Sequence, residues 1–377
     1  MKNYICLLLV IVFAARCNND TQPQFPTQTI IPVGPSDASS AFSYYNTTPE
    51  NPTGNKIAYV KYLETPTARV SGYKGEIWTC DANLQQHQKV VSVDSCHSHN
   101  GVSLQWIDDD RFAYQDGTAI YIASVGQKEV LHGPYYGRIG HYAFDEKILF
   151  ANLEPSDEEE LAIFEVNAND GKAEKIAPIS IFYPFQSKFH ASHDSIKSNW
   201  RILHLHYSPD GSKINLRLDV GEGEVNNPLF TISRNEIDPV VYFGLKPMHF
   251  DWYDNASIMG HDNQIPDGMP NDFSARRWDL QGNFIETLAG PGNHLGAAPD
   301  FSRFASESWY RSDTISLSVF NRGEIKPFFT VDVSNAPKAT WDKGWHVNPS
   351  FSRDGKRVYF HRTVSNDMVQ ACMVVLE

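Results

Sequence analysis

Four histidines stand at the head of similar phrases in this chain: His204, His249, His294 and His346. The first three are spaced 45 and 45 residues apart, and the last follows after 52. His99 and His141 open two looser copies. A neutral imidazole is a good ligand for Mn, Fe, Ni or Zn, and one left unligated accepts a proton near neutral pH. Residues this far apart can share such work only if the fold brings the starts of successive repeats to one place.

The phrase itself says how. Its clearest copy runs from His346 through Asn348, Pro349 and Phe351 to a Ser352-Arg353-Asp354-Gly355 turn and an alternating strand. A second runs from His204 to Ser208-Pro209-Asp210-Gly211, and a third, with a worn turn, starts at His249-Phe250-Asp251-Trp252. Short strands and Asp-Gly turns repeating at this length predict blades of a β-propeller. Counting from Lys56 gives seven units, and closure then joins the two chain ends in one blade. The fold class expected is all-β, a seven-bladed β-propeller. In such a ring the first strand of each blade lines the central channel, so residues opening those strands converge. The competing reading of each histidine is structural: a buried imidazole bonded to a neighbouring blade's backbone.

The totals agree with an all-β chain. The 24 Gly and 22 Pro are spread along the 377 residues, which suits many turns, and no extended 3.6-residue apolar pattern is present. Formal charge is −13, and −13 − 2 = −15 without Lys2 and Arg16, which argues against nucleic acid as a partner. Residues 1–17 read as a signal peptide: Lys2, an apolar run from Tyr4 to Ala15, then Cys17. This resembles a bacterial lipoprotein signal with Cys17 lipidated, although Arg16 replaces the usual small residue. Export is expected, to the periplasm or as an outer-membrane lipoprotein tethered through Cys17. Residues 18–52 read as a flexible linker rich in Pro, Thr, Ser and Asn, and 53–377 as the propeller domain. Cys80 and Cys96 either pair or stay as buried thiols. No nucleophile elbow, P-loop or H-E-x-x-H motif occurs.

The ordered histidines before the Ser-Pro-Asp-Gly and Ser-Arg-Asp-Gly turns resemble those of the oligogalacturonate lyase family and, more broadly, of TolB-like propellers. The resemblance covers most of 99–377. It implies β-elimination on uronic-acid oligosaccharides, with a divalent metal, Mn by analogy, on the uronate carboxylate and a separate histidine taking the C5 proton. Carried across, His294 and His346 match metal positions, Asn348 stands where a further histidine ligand is found, and His249 matches the base. His204 matches a strand start near substrate or metal and is grouped with the catalytic candidates. A glutamine ligand of the family falls near Asp342-Lys343 here, and no arginine is assigned by a motif, Arg138 and Arg201 being the candidates. The partner implied is an acidic oligosaccharide. The alternative is a non-catalytic propeller that binds a glycan or a protein at the cell surface.

Overall fold

The computed structural model describes residues 28–153, 160–188, 200–220, 227–236, 239–245, 247–261, 273–308 and 313–376. The signal segment, Cys17, His190 and His193 lie outside them. The described chain is all-β in a propeller arrangement. Its helices are a six-residue α-helix, Pro337–Asp342, and a 3-10 segment, Ile179–Lys188.

Six antiparallel sheets follow in chain order. The first runs from Ser40–Ala41 through Lys56–Tyr62 and Ser71–Asp81 to Gln88–His97. A seven-stranded sheet then spans Gln105–Trp106 to Ala173–Pro178. Three four-stranded sheets begin at Arg201–Tyr207, Met248–Asp254 and Asn293–Ala297. The sixth holds Ser350–Phe351, Arg357–Ser365 and Met368–Val375, and takes its outer strand from the other end of the chain. Ile31 pairs there with Met373, and Pro32 with Cys372. The expected joining of the two chain ends in one blade is therefore present.

Burial explains why the strands read as they do. Second strands such as Lys213–Asp219 are covered on both faces and carry Ile214, Leu216 and Leu218 fully buried. Outer strands such as Ala173–Pro178 are mostly exposed. The Ser-x-Asp-Gly turns are held identically in two sheets. Ser208 Oγ donates to Asp210 at 2.7 Å and receives the Lys213 amide at 2.9 Å; Ser352 does the same with Asp354 and Arg357 at 2.6 and 2.9 Å. Gly211 has φ +68°, and a Cβ there would meet the Phe144 ring at 2.1 Å, so glycine is required.

The first strands share a second device. Their register slips between Leu203 and His206, between Met248 and Asp251, and between Asn293 and Gly296. The residue inside each slip is left-handed: His204 at φ +52°, His249 at +48° and His294 at +45°. Ser103 (+46°) and Asn348 (+47°) have the same conformation before Gln105 and Ser350. The bulge turns each side chain toward the axis. It also corrects the register of the repeat: the counterpart of His204, His249 and His294 is Asn348, and His346 lies two residues earlier.

The flexible linker expected over 18–52 does not extend to residues 28–52, which belong to the ring. Ser40 pairs with Lys61 and Ala41 with Val60, then the strand departs and rejoins at the Glu50–Ile57 bridge. Glu50 is fully buried and fastens the first sheet to the last, accepting from the Tyr359 hydroxyl at 2.6 Å and the Arg353 amide at 2.7 Å and pairing with Arg357 at 2.8 Å. The segment looks unstructured in sequence because its Ser, Thr and Asn residues are buried as bonded polar groups, a pattern with no apolar period. Cys80, Cys96 and Cys372 are all free and buried, so Cys80 and Cys96 do not pair; burial pushes each thiol up to about 12.

Candidate active site

The departure of the first strand between Ala41 and Glu50 carries Tyr44 to the place where the bulged strand starts meet. The Tyr44 ring lies 5.2 Å from His99, 5.7 Å from His141 and His204, 5.3 Å from His294 and 6.4 Å from His249. His346 is one step further out, 4.5 Å from His99 and 4.9 Å from His294. His204, His249 and His294, on the regular spacing, thus come together, and His99, His141 and His346 join them. Tyr44 and the fully buried Tyr45 were missed in sequence, where they sit in the supposed linker. Adjacent aromatic residues in an otherwise polar stretch were the one available signal.

One cluster is built on Glu307, at the end of Arg303–Glu307, the second strand of the fifth sheet. Glu307 is 1% exposed. Its Oε1 accepts from His294 Nδ1 at 2.6 Å and from His346 Nδ1 at 3.3 Å, and its Oε2 accepts from the Val347 amide at 2.6 Å. Burial alone would raise this carboxyl. The hydrogen-bonded imidazoles of His294 and His346 outweigh it and hold Glu307 far below the usual carboxylate range. Desolvation keeps His294 lowered and uncharged, although Glu307 pulls the other way. With both Nδ1 atoms turned to the carboxylate, Nε2 is the nitrogen of each ring that faces away from Glu307. Tyr44 Oη lies 3.2 Å from His294 Nε2.

The remaining expected residues distribute unevenly. His249 packs against His294 with ring centroids 4.2 Å apart and planes tilted by 46°, and its Nδ1 is buried with no hydrogen-bond partner among the described residues. Burial, reinforced by His294 and other nearby groups, holds its imidazole well below its ordinary range, so the ring is uncharged at pH 7. Asn348 donates its amide to the His99 carbonyl at 3.1 Å, while its Oδ1 is buried and unpartnered. Lys343 turns away: its ammonium bonds Asn366 O and lies 4.7 Å over the Trp345 ring. His99 comes nearer than that position. Its Nδ1 bonds Gly344 O at 2.8 Å and its Nε2 is buried without a partner. His204 joins a different group, with His141 and His206, on the other side of Tyr44.

Two cavities flank the Tyr44–Thr47 segment. The larger, about 640 Å³, is lined by Tyr44, His99, His204, Arg69 and Arg138 among others. The smaller, about 370 Å³, is lined by Asn46, Tyr142, Asp251, Trp106 and Phe351 among others. Arg138 is therefore placed at a cavity. Arg201 is exposed and pairs across its sheet with Asp219. Neither His294 nor His346 lines either cavity; Tyr44 and His99, which touch His294, line the larger one.

The donor set suits a divalent ion. His294, Glu307 and His346 each offer a ligand atom within 4.8 Å of the others. The unpartnered His99 Nε2 and Asn348 Oδ1 belong to residues touching the same cluster, and buried polar atoms without partners are uncommon unless something binds them. A carboxylate holding Nδ1 of two imidazoles is the usual outer support of histidine ligands.

No protein-family model and no curated protein sequence matches the chain. Its structure is similar to that of an oligogalacturonate lyase in complex with manganese: TM-score 0.64, 15% identity, 92% of this chain and 93% of that one. It is also similar to an oligogalacturonate lyase from Vibrio parahaemolyticus: TM-score 0.66, 13% identity, 95% of each chain. A β-propeller domain of Cps50 (Swd1) from Myceliophteria thermophila aligns with TM-score 0.54 and 9% identity over 92% of this chain and all 100% of that domain. At these identities the likeness is one of fold, and the fold is a propeller that hosts unrelated functions.

Proposed function

We propose that this chain is an exported lyase that cleaves uronic-acid oligosaccharides by β-elimination. The reading takes the seven-stranded sheet as two neighbouring blades joined where Phe150 pairs with Ile139 and Asn152 with Gly137, giving seven blades in all. Export rests on the character of residues 1–17. The observation that carries the activity is the Glu307-backed pair His294 and His346 with the neutral His249 packed against His294.

His294 and His346 would hold a divalent ion, with His99 and Asn348 completing the donors. When bound, that ion neutralises the uronate carboxylate and acidifies the C5 proton. His249 takes the proton, the electron pair forms the C4–C5 double bond, and the 4-O bond breaks to release the leaving sugar. Glu307 keeps the Nε2 lone pairs of His294 and His346 directed away from itself. Arg69 and Arg138 at the larger cavity supply positive charge for neighbouring carboxylates in a protein that is acidic overall.

The placement of Tyr44 favours a second reading. It lines the larger cavity while His294 and His346 do not, so a glycan could lodge against Arg69 and Arg138 without reaching His294, as in a binding module. Ultraviolet absorbance of the unsaturated uronate decides between them. Purified protein supplied with Mn should generate it from oligogalacturonides or another uronan. Silence across several uronans, together with saturable glycan binding, would replace the lyase by the binding module.

A further inference from the structure

We infer that a second divalent-cation site, made of His141, His204 and His206, lies across Tyr44 from the Glu307 cluster. His204 and His206 lie two residues apart in one strand, Arg201–Tyr207, within and at the end of the register slip that follows Leu203. His141 is brought against them by backbone pairing: its amide donates to Leu205 O at 3.0 Å. A nitrogen from each of the three lies within 4.8 Å of the others.

Three observations point to an ion. His141 Nε2 and His204 Nδ1 are 3.1 Å apart. Two nitrogens on one ion at about 2.1 Å stand about 3.0 Å apart at a right angle and about 3.4 Å apart at a tetrahedral one, so the spacing falls inside the range for two ligands. His206 is 0% exposed and its Nε2 has no hydrogen-bond partner among the described residues. Its other nitrogen is fixed by a carboxylate, with Nδ1 3.0 Å from Asp251 Oδ1, the arrangement that orients histidine ligands in metal sites. Asp251 is itself held by Tyr142, the Trp252 amide at 2.7 Å and Asn46 at 2.5 Å. The guanidiniums of Arg138 and Arg217 lie near His204 and oppose added positive charge there. Access exists too, because His204 and His141 line the larger cavity.

The ligand class follows from the donors. Three imidazoles select Zn, Ni, Co or Fe over Mn, whereas the first cluster, with an amide oxygen beside its histidines, is the better place for Mn. This site does not depend on the lyase reading.

The test is Co(II) titration of the chelator-stripped full chain, followed by visible d–d absorbance and elemental analysis, in wild type, His204→Asn, His206→Gln and His346→Gln. Asparagine at 204 tolerates the left-handed backbone, as Asn348 does in the equivalent position. The expected result is loss of one Co equivalent and its absorbance in both His204→Asn and His206→Gln, with that equivalent retained in His346→Gln. Zn should displace it and Mn should not. Retention of wild-type stoichiometry and spectrum in folded His204→Asn would overturn the site, leaving a plain N–H···N bond between His141 and His204. So would a wild type that binds one equivalent, lost only in His346→Gln. If His346→Gln changes nothing and His204→Asn removes the ion, the proposed lyase centre fails and this site stands.

Discussion

The two imidazole clusters beside Tyr44 start from the same bulged strands and diverge in what supports them. In one, Glu307 arrives from a second strand and gathers His294, His346 and the Val347 amide from two sheets. In the other, Asp251 sits two residues past His249 in the first strand itself and divides its oxygens between His206, Tyr142 and Asn46. Repetition places one bulge histidine in each, His204 and His294. The carboxylates arrive from different strands of their sheets, and they are what makes one cluster differ from the other. Burial raises both carboxyls, and their partners leave them shifted in opposite directions. Asp251 is pushed up to about 8 by desolvation despite bonds from the Trp252 amide and Asn46, while His294 and His346 hold Glu307 low.

Removing the carboxylates is the hardest blow to this comparison. Glu307→Ala strands two imidazole N–H groups and a buried amide, and should destabilise the fold by about 2–5 kcal/mol, read from urea unfolding. Asp251→Ala, with Tyr142 and Asn46 nearer to water, should lose about 1–3 kcal/mol in the same assay. Equal losses would mean that the two supports are equivalent.

Next in size on the catalytic scale is His249. Substituting Asn, which the +48° backbone accepts, should lower product formation by about 10²–10⁴-fold with unfolding midpoint little changed. Activity retained in that variant would move the base elsewhere, with His204 the next candidate. Tyr44→Phe should cost about 1 kcal/mol of stability by removing the 3.2 Å contact to His294 Nε2 while keeping the ring in place. A loss several times larger would show that Tyr44 joins the clusters rather than separating them.

Acidification probes buried imidazoles without a substitution. Burial lowers His261 and His361 to about 4. The unfolded chain takes up these protons near pH 6.5, the native one near 4, so between the two the unfolded state holds more protons. Their stabilisation is complete above about pH 6.5, falls away as pH drops toward about 4, and changes no further below it. Unfolding temperature measured across that interval should decline with acidification; a flat profile would contradict the buried, uncharged imidazoles.

Much of this was legible in the sequence because a propeller writes its symmetry as spacing. The blade phrases, the turns at Ser208 and Ser352, the joining of the chain ends and the convergence of His204, His249 and His294 all follow from it. What was hidden had no period. Tyr44 lies in a detour of the first strand whose buried polar residues look like a tether. Glu307 ends a second strand that no phrase marks. The equivalence of Asn348 with His204 depends on a left-handed bulge, so counting histidines alone misplaced His346 by two residues.

The central claim is that His294 and His346 hold a divalent ion. Metal content of protein purified without chelators, wild type beside His294→Asn, tests it most directly, since asparagine keeps the +45° backbone and removes the imidazole. The account predicts stoichiometric Mn, Fe, Ni or Zn at this centre in wild type and its loss in the variant. A folded wild type that neither carries nor takes up any of these ions, or a variant that binds them unchanged, would contradict it.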